Sequence, residues 1–419
     1  MPAPEKRPQR LVVHLGDDPV AELLDRKRSG VTVRYLPEAL TAHPGLTALL
    51  SCSLPLVSGR VDGTAFFDGV LPEGQHRAAL AARAGVAAQD TFGLLARYGR
   101  DVAGALVVTD PDRPTAERIA GVVEYDEETL TAEIEALPDR PLGIRNDSEL
   151  SLAGLQDKLL LVDLGGGRWG RPTGGAPSTH ILKLDHATHR GIVAAEAEAL
   201  ALARHAGLTT ITTELRTFNG TDALIVSRFD RARGPNATIQ RIHQEDACQA
   251  TGRAPTAKYE LRRQGGGPSF DNIAEILDAH ATDPLVELDR LAAIAAFTAM
   301  IGNADAHGKN IAFVHTSFGQ LTLAPLYDTV PTVLWPGLTV DAAMSIGGTV
   351  TLDAVDTAAI VRSAARWHHS AARAAAASRA TALLLLDAIE QNVIDPGRPL
   401  AAVVRARAQR FTSAGSTTR

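Results

Sequence analysis

In 419 residues, 42 Lys and Arg stand against 48 Asp and Glu, a formal charge of −6, with 45% apolar and 21% charged residues. That balance excludes a disordered chain, and the length allows two or three domains with sizeable cores. Two cysteines (Cys52 and Cys248) exclude a disulfide framework or a cysteine zinc site. The charged opening MPAPEKRPQR and the lack of a long uncharged apolar run predict a cytoplasmic protein with no signal peptide and no membrane partner.

In chain order, 11–15 (LVVHL) and 31–35 (VTVRY) read as short strands around a polar helical or turn segment. Helices follow at 73–84 and 89–99, then a strand at 102–109 (VAGALVVT), and Pro111, Asp112 and Pro114 mark a boundary. An acidic helix at 126–137 precedes strands at 158–164 (KLLLVDL) and 180–184 (HILKL), a helix at 192–206, and strands near 211–217 and 222–229. From 241 onward the period turns helical, with segments at 243–251, 271–280, 285–301, 353–367 and 371–393. The expected domains are 1–110, a β-rich part at 111–248 and a helical part at 249–419.

The middle part holds the whole net charge, with 15 basic and 21 acidic residues, so no broad basic face is available for a phosphate backbone. Residues 398–419 carry five arginines and no acid, a pattern that fits a solvated helix end better than a nucleic-acid contact. Lysine is scarce, six against 36 arginines. Beyond Lys6 and Lys27 the lysines are Lys158, Lys183, Lys258 and Lys309, and a compact ammonium suits a phosphate contact that a planar guanidinium would crowd.

Residues 165–170 (GGGRWG) match the dinucleotide fingerprint, but Arg171 and Pro172 follow where a helix should open, so a hairpin turn is expected instead. The informative stretch is 301–328, IGNADAHGKNIAFVHTSFGQLTLAPLYD. An apolar helix ends at Gly302, the polar loop NADAHGKN follows, and IAFVH and LTLAP read as paired strands. Pairing His315 with Leu321 makes facing residue numbers sum to 636 and brings Asn310 and Asp328 out at the same open end, within about 10 Å. Asp305, five residues before Asn310, joins them. Two carboxylates and an amide oxygen suit Mg²⁺ beside phosphate oxygens. An Asp for the hydroxyl proton, then Asn and a second Asp for metal, is the set that kinase chemistry requires. A polar loop that merely caps a helix would use the same residue types. Lys183, a lone charge in an apolar strand, is the candidate phosphate lysine, with Glu196 and Glu198 equally eligible as its partner from the next helix; a lysine pointing to solvent from an alternating strand fits the pattern equally.

Taken as a set, SLAGLQDK (151–158), THILKL (179–184), SRFDR (227–231), QEDACQATG (244–252), KYE (258–260), NADAHGKN (303–310) and PLYD (325–328) resemble the HipA family of serine/threonine kinase toxins. SLPL (53–56), FFDGVLPEG (66–74) and DTFGLLARYGRDVAGAL (90–106) resemble that family's N-terminal domain. The resemblance implies an α+β, two-lobed protein-kinase-like fold: a small N-terminal domain, a β-rich N-lobe and an all-helical C-lobe. It implies a Mg²⁺- and ATP-dependent kinase of protein serine or threonine, with Asp305 as catalytic base and Asn310 and Asp328 on the metal. Ser151, Ala153, Gly154, Gln156 and Lys158 then belong to the phosphate-binding loop, and Lys183 contacts the phosphates. Ser151 also matches the position where family members autophosphorylate, and there a doubly charged group would repel ATP phosphates.

Ser227 departs from the family, which commonly carries Glu there; the adenine contacts of Ser227 and Phe229 can still be made through backbone groups. Asp230 and Arg231 read alternatively as a structural ion pair. His307 and Lys309, between base and metal ligand, are candidates for a phosphate or supporting role. Family toxins are held by a HipB-like helix-turn-helix antitoxin, which makes the main contact with operator DNA, and their targets are aminoacyl-tRNA synthetases. Two other readings remain: a small-molecule kinase of the aminoglycoside type, and a catalytically silent module that recruits an antitoxin to DNA.

Overall fold

The computed structural model describes residues 7–27, 30–113, 120–137, 158–185, 189–235, 238–260, 266–316 and 319–412. The chain divides into two compact units, 1–184 with 216–245 and 185–215 with 246–419.

The first unit opens with strands Arg10–Leu15 (β1), Asp18–Asp25 (β2) and Val31–Tyr35 (β3), helix Pro37–Ala42 (α1) and strand Val61–Asp62 (β4). Helices Thr64–Gly69 (α2), Gly74–Ala84 (α3) and Thr91–Tyr98 (α4) follow, then strand Leu106–Thr109 (β5). The strands form an antiparallel sheet in the order β4-β3-β2-β1-β5. Alternating Leu11, Val13, Leu23 and Val33 meet Phe66, Phe67, Phe92 and Tyr98 in one apolar core. Residues 18–25 are a strand and not the helical or turn segment expected. Ala, Glu and Leu favour a helix, but β2 has a hydrogen-bonded neighbour on each side, and that pairing overrides local propensity.

Strand Gly121–Tyr125 (β6), helix Glu127–Glu135 (α5) and strands Lys158–Gly165 (β7), Arg168–Thr173 (β8) and His180–Leu184 (β9) continue the unit. With Thr213–Phe218 (β10) and Thr221–Ser227 (β11) the second sheet has the order β10-β11-β9-β7-β8-β6. Leu159 and Leu161 of β7 pack with Leu130 and Ile134 of α5, while Leu160 points the other way into the first core. The glycine run lies in the turn between β7 and β8, where Gly165, Gly166 and Gly167 all take positive φ, so the dinucleotide match is a hairpin as expected.

A buried ionic network ties the two sheets together. Asp101 accepts from the Ser178 hydroxyl at 2.7 Å and pairs with Arg231 at 3.0 Å. Asp230 pairs with Arg228 at 2.8 Å and Arg231 at 3.0 Å, and accepts from the Gly104 amide at 2.7 Å. Asp230 and Arg231 are therefore the structural pair that the sequence allowed, joined by two unforeseen members, Asp101 and Arg228. A ribbon of Arg231–Arg233 (β12) and Ile239–Arg241 (β13) completes the unit.

The second unit contains helix Ile192–His205 (α6), the end of the short strand Gln244–Asp246 (β14), and helices Ala247–Ala250 (α7), Phe270–His280 (α8) and Pro284–Ile301 (α9). Strands Ala312–His315 (β15), Leu321–Leu323 (β16), Asp341–Ile346 (β17) and Thr349–Thr351 (β18) come next, then helices Thr357–Arg366 (α10), Ala371–Glu390 (α11) and Pro399–Thr412 (α12). Every residue of α9 from Leu291 to Ile301 is buried, so an all-round apolar helix sits at the centre with α8, α10, α11 and α12 against it. The β17–β18 hairpin was not foreseen, and the 243–251 segment is helical only over α7. Among the described residues no helix is long and apolar enough to cross a membrane.

Candidate active site

In the second unit the site begins where α9 stops. Gly302 caps the helix at φ 75°, and a β-carbon there would lie 2.3 Å from both Val333 and the Arg407 guanidinium. Only glycine can make this turn. The chain then runs through a tightly bonded loop. The Ala304 amide donates to Thr332 Oγ1 (2.8 Å), the Asp305 amide to Asn303 Oδ1 (3.0 Å), and the Asn310 amide to the His307 carbonyl (2.8 Å). The loop is thus preset by main-chain bonds, and its side chains need little reordering to act.

The hairpin after the loop has the expected register: Phe313 faces Leu323, Val314 faces Thr322 and His315 faces Leu321. The Ala324 amide extends the pairing to the Ala312 carbonyl at 2.8 Å. Beyond that end the Tyr327 hydroxyl donates to the Lys309 carbonyl at 2.6 Å, which holds the segment carrying Asp328 against the loop carrying Asn310. Asp328 has φ 52°, a left-handed conformation that is uncommon outside glycine and clusters at functional sites.

Asn310 donates its side-chain amide to the Asp305 carbonyl at 3.1 Å. Only the NH₂ group can make that bond, so Oδ1 points to the opposite side, where it can serve a cation. Asp305 and Asp328 are half-buried, whereas Asn303, His307, Lys309 and Asn310 are buried. Nearby, among the described residues, His307 Nδ1 and Thr329 Oγ1 are buried with no hydrogen-bond partner. Hard oxygen donors beside unused polar atoms fit a hydrated Mg²⁺ carrying phosphate.

The two basic residues of the loop differ. Lys309 is committed to Asp246 at 2.7 Å, a buried ion pair. His307 packs edge-on against Tyr259 at 5.0 Å. Burial first, then the ammonium groups of Lys258 and Lys309, push His307 down to about 3 against the opposing pull of Asp328, so the ring is neutral at pH 7. Of the two glutamates eligible for Lys183, Glu198 is bound to Arg398 at 2.5 Å and Glu196 is fully buried.

The first unit contributes a second constellation. Lys158 opens β7 and directly faces Lys183 of β9. Facing residues of an antiparallel pair point to one side, so two ammonium groups share the face opposite α5. Both residues are buried, as are Lys258 and Lys309. Four scarce lysines singled out by count alone are thus all interior, where lysine is seldom found unpaired. Ser227 ends β11 opposite His180, and Phe229 is half-buried beside it. Ser151, Ala153, Gly154 and Gln156 lie outside the described residues.

One residue of the site was missed. Tyr259 donates its hydroxyl to Asp305 Oδ1 at 3.0 Å. The KYE segment stood out in the sequence, but a side-chain contact across 46 positions leaves no local pattern to read.

The facing lysines lie on a six-stranded sheet and the Asp305, Asn310, Asp328 set beside a hairpin, in a mixed α+β architecture of the protein-kinase-like kind. Residues 11–109 match the HipA N-terminal domain model, and residues 150–394 match the HipA-like C-terminal domain model. The chain belongs to the HipA family. It is 39% identical over 322 residues, 74% of each chain, to Y4mE, a predicted kinase of Sinorhizobium fredii. It is 30% identical over 355 residues to the serine/threonine-protein kinase toxin HipA of Shewanella oneidensis, covering 80% of this chain and 78% of that one. A solved HipA from Shewanella oneidensis, in complex with HipB and its operator DNA, superposes with a TM-score of 0.79 at 25% identity over 96% of both chains.

Proposed function

We propose that the protein is a Mg²⁺- and ATP-dependent kinase that phosphorylates serine or threonine of a protein and acts as the toxin of a toxin–antitoxin pair. The observation that carries this reading is the Asp305, Asn310, Asp328 set: a base candidate in a preset loop, an amide whose NH₂ is bonded within that loop, and a left-handed Asp on the segment bonded to that loop. Asn310 Oδ1 and the Asp328 carboxylate would hold Mg²⁺, which supplies charge neutralisation on the terminal phosphates of ATP. Lys158 and Lys183 would bind the phosphates, with the segment containing Ser151, Ala153, Gly154 and Gln156 closing over them. Ser227 and Phe229 would take the adenine. Asp305 orients the acceptor hydroxyl and receives its proton as the oxygen bonds to the γ-phosphorus. The bond from the γ-phosphorus to its bridging oxygen breaks, and ADP leaves.

Lys309, paired with Asp246, supports the loop in this scheme and does not reach for phosphate; neutral His307 keeps a nitrogen for a polar contact. The finer assignments belong to the same proposal: an aminoacyl-tRNA synthetase as target, Ser151 as the autophosphorylation site, and a HipB-like antitoxin that carries the contact with operator DNA. The fate of the four C-terminal arginines among the described residues agrees with that division of labour. Arg398 is bound to Glu198, Arg407 and Arg410 to Asp353, and Arg405 to the Pro396 carbonyl.

The test is phosphate transfer from labelled ATP by the purified chain into a lysate, with phosphosites read by mass spectrometry, beside Asp305→Ala and Asp328→Ala. Label on protein serine or threonine that needs both carboxylates is expected. Label on small molecules alone would favour the aminoglycoside-type reading, and no Mg²⁺-dependent ATP binding would favour a silent module.

A further inference from the structure

Asp305 sits on a loop, and a loop carboxylate can rotate about its last side-chain bond unless something fixes it. We infer that Tyr259 is the positioning residue that does so, an assignment that rests on Asp305 being the base. The phenol donates to Oδ1 at 3.0 Å. A charge-assisted bond of this kind is stronger than a neutral one and selects one orientation of the carboxylate plane.

Tyr259 is itself held on several sides. The Lys258 carbonyl accepts from the Gly308 amide at 3.0 Å, so the main chain beside Tyr259 is bonded to the loop that carries Asp305. The Tyr259 carbonyl accepts from the Gly267 amide at 3.1 Å. The Glu260 amide donates to the Ala343 carbonyl at 3.1 Å, and the Glu260 carboxylate accepts from the Ser345 amide at 2.6 Å and its hydroxyl at 3.1 Å. The ring meets His307 edge-on at 80° between planes, with the Lys258 ammonium 5.8 Å from its centre. The 258–260 segment is therefore a strut from the β17–β18 hairpin to the Asp305 carboxylate. A phenol so placed is fixed in advance, and the acceptor hydroxyl meets an oriented base.

The test compares Tyr259→Phe with wild type in phosphate transfer, Mg·ATP binding and thermal unfolding. Phenylalanine keeps the ring against His307 and removes only the donor. The expected result is kcat lower by about 10- to 100-fold with KM for ATP, ATP affinity and Tm unchanged. Activity equal to wild type would overturn the role of Tyr259 and leave the kinase reading standing. A parallel fall in ATP affinity or Tm would make Tyr259 a structural residue and overturn it too. Phosphate found on Tyr259 would make the phenol an acceptor in place of a strut. A wild-type chain that binds Mg·ATP but transfers nothing would remove the kinase reading and this one with it.

Discussion

Two buried polar clusters invite comparison: Asp101, Arg228, Asp230 and Arg231 in the first unit, and the loop around Asp305 in the second. In the first, every charge has an opposite charge within about 3 Å and all four residues are buried. Burial alone would raise Asp230, yet Arg228 and Arg231 hold it well below the usual carboxylate range. In the second, the buried members support carboxylates that stay half-exposed, and polar atoms of His307 and Thr329 are left unused. Arg231 Nε is buried without a hydrogen-bond partner as well, so charge separates the two clusters: the first is closed by paired ions that hold a fold together, whereas the second leaves its carboxylates half-exposed.

That contrast breaks first at Asp305. Asp305→Ala should lower phosphate transfer by about 1,000-fold or more while Tm stays put, because a half-exposed loop carboxylate serves chemistry more than packing. A melted variant would place Asp305 with the structural cluster. Asp230→Ala should do the reverse, costing about 3–5 kcal/mol in urea unfolding by leaving Arg228 buried without its close carboxylate and Arg231 with Asp101 alone. The sign with pH follows from the depressed carboxylate. Its stabilisation is present above the unfolded-state value of about 4 and is lost as pH falls towards the lower folded value. Unfolding midpoints at pH 7 and pH 3 should therefore differ less in Asp230→Asn than in wild type.

Lys183→Met should weaken Mg·ATP binding by about 10- to 100-fold in a nucleotide titration, with Lys158→Met behaving alike because the two face each other. An effect confined to one lysine would separate the pair. At the small end, Arg398→Ala removes an ion pair exposed on the arginine side and should shift stability by under about 1 kcal/mol.

How much of this was legible follows the range of the interactions. The β15–β16 register could be counted from the sequence because a hairpin is local, and beyond its open end Tyr327 bonds Lys309, the neighbours of Asp328 and Asn310. The helices from α8 to α11 carry their own period, and the Gly-rich decoy exposed itself through Pro172; α12, whose arginines suggested only a solvated end, was not read as a helix with a buried face. What stayed hidden depends on distant partners. Residues 18–25 become a strand because β1 and β3 flank them, Arg228 matters because Asp101 and Val102 lie 126 or more positions away, and Tyr259 finds Asp305 across 46. The β17–β18 hairpin had a usable signal, two glycines between short apolar runs, that a helical reading of the region passed over.

Gly302 joins two fates. Adding one methyl group there strikes Val333, next to the Thr332 that anchors the loop, and Arg407, which bonds the Ala299 carbonyl near the end of α9. The nucleus of the reactive loop and the mooring of the last helix share one clearance narrower than a methyl group. Among spontaneous variants selected for lost phosphate transfer, substitutions at this glycine should recur alongside those of the acidic residues, although it donates no atom to the chemistry.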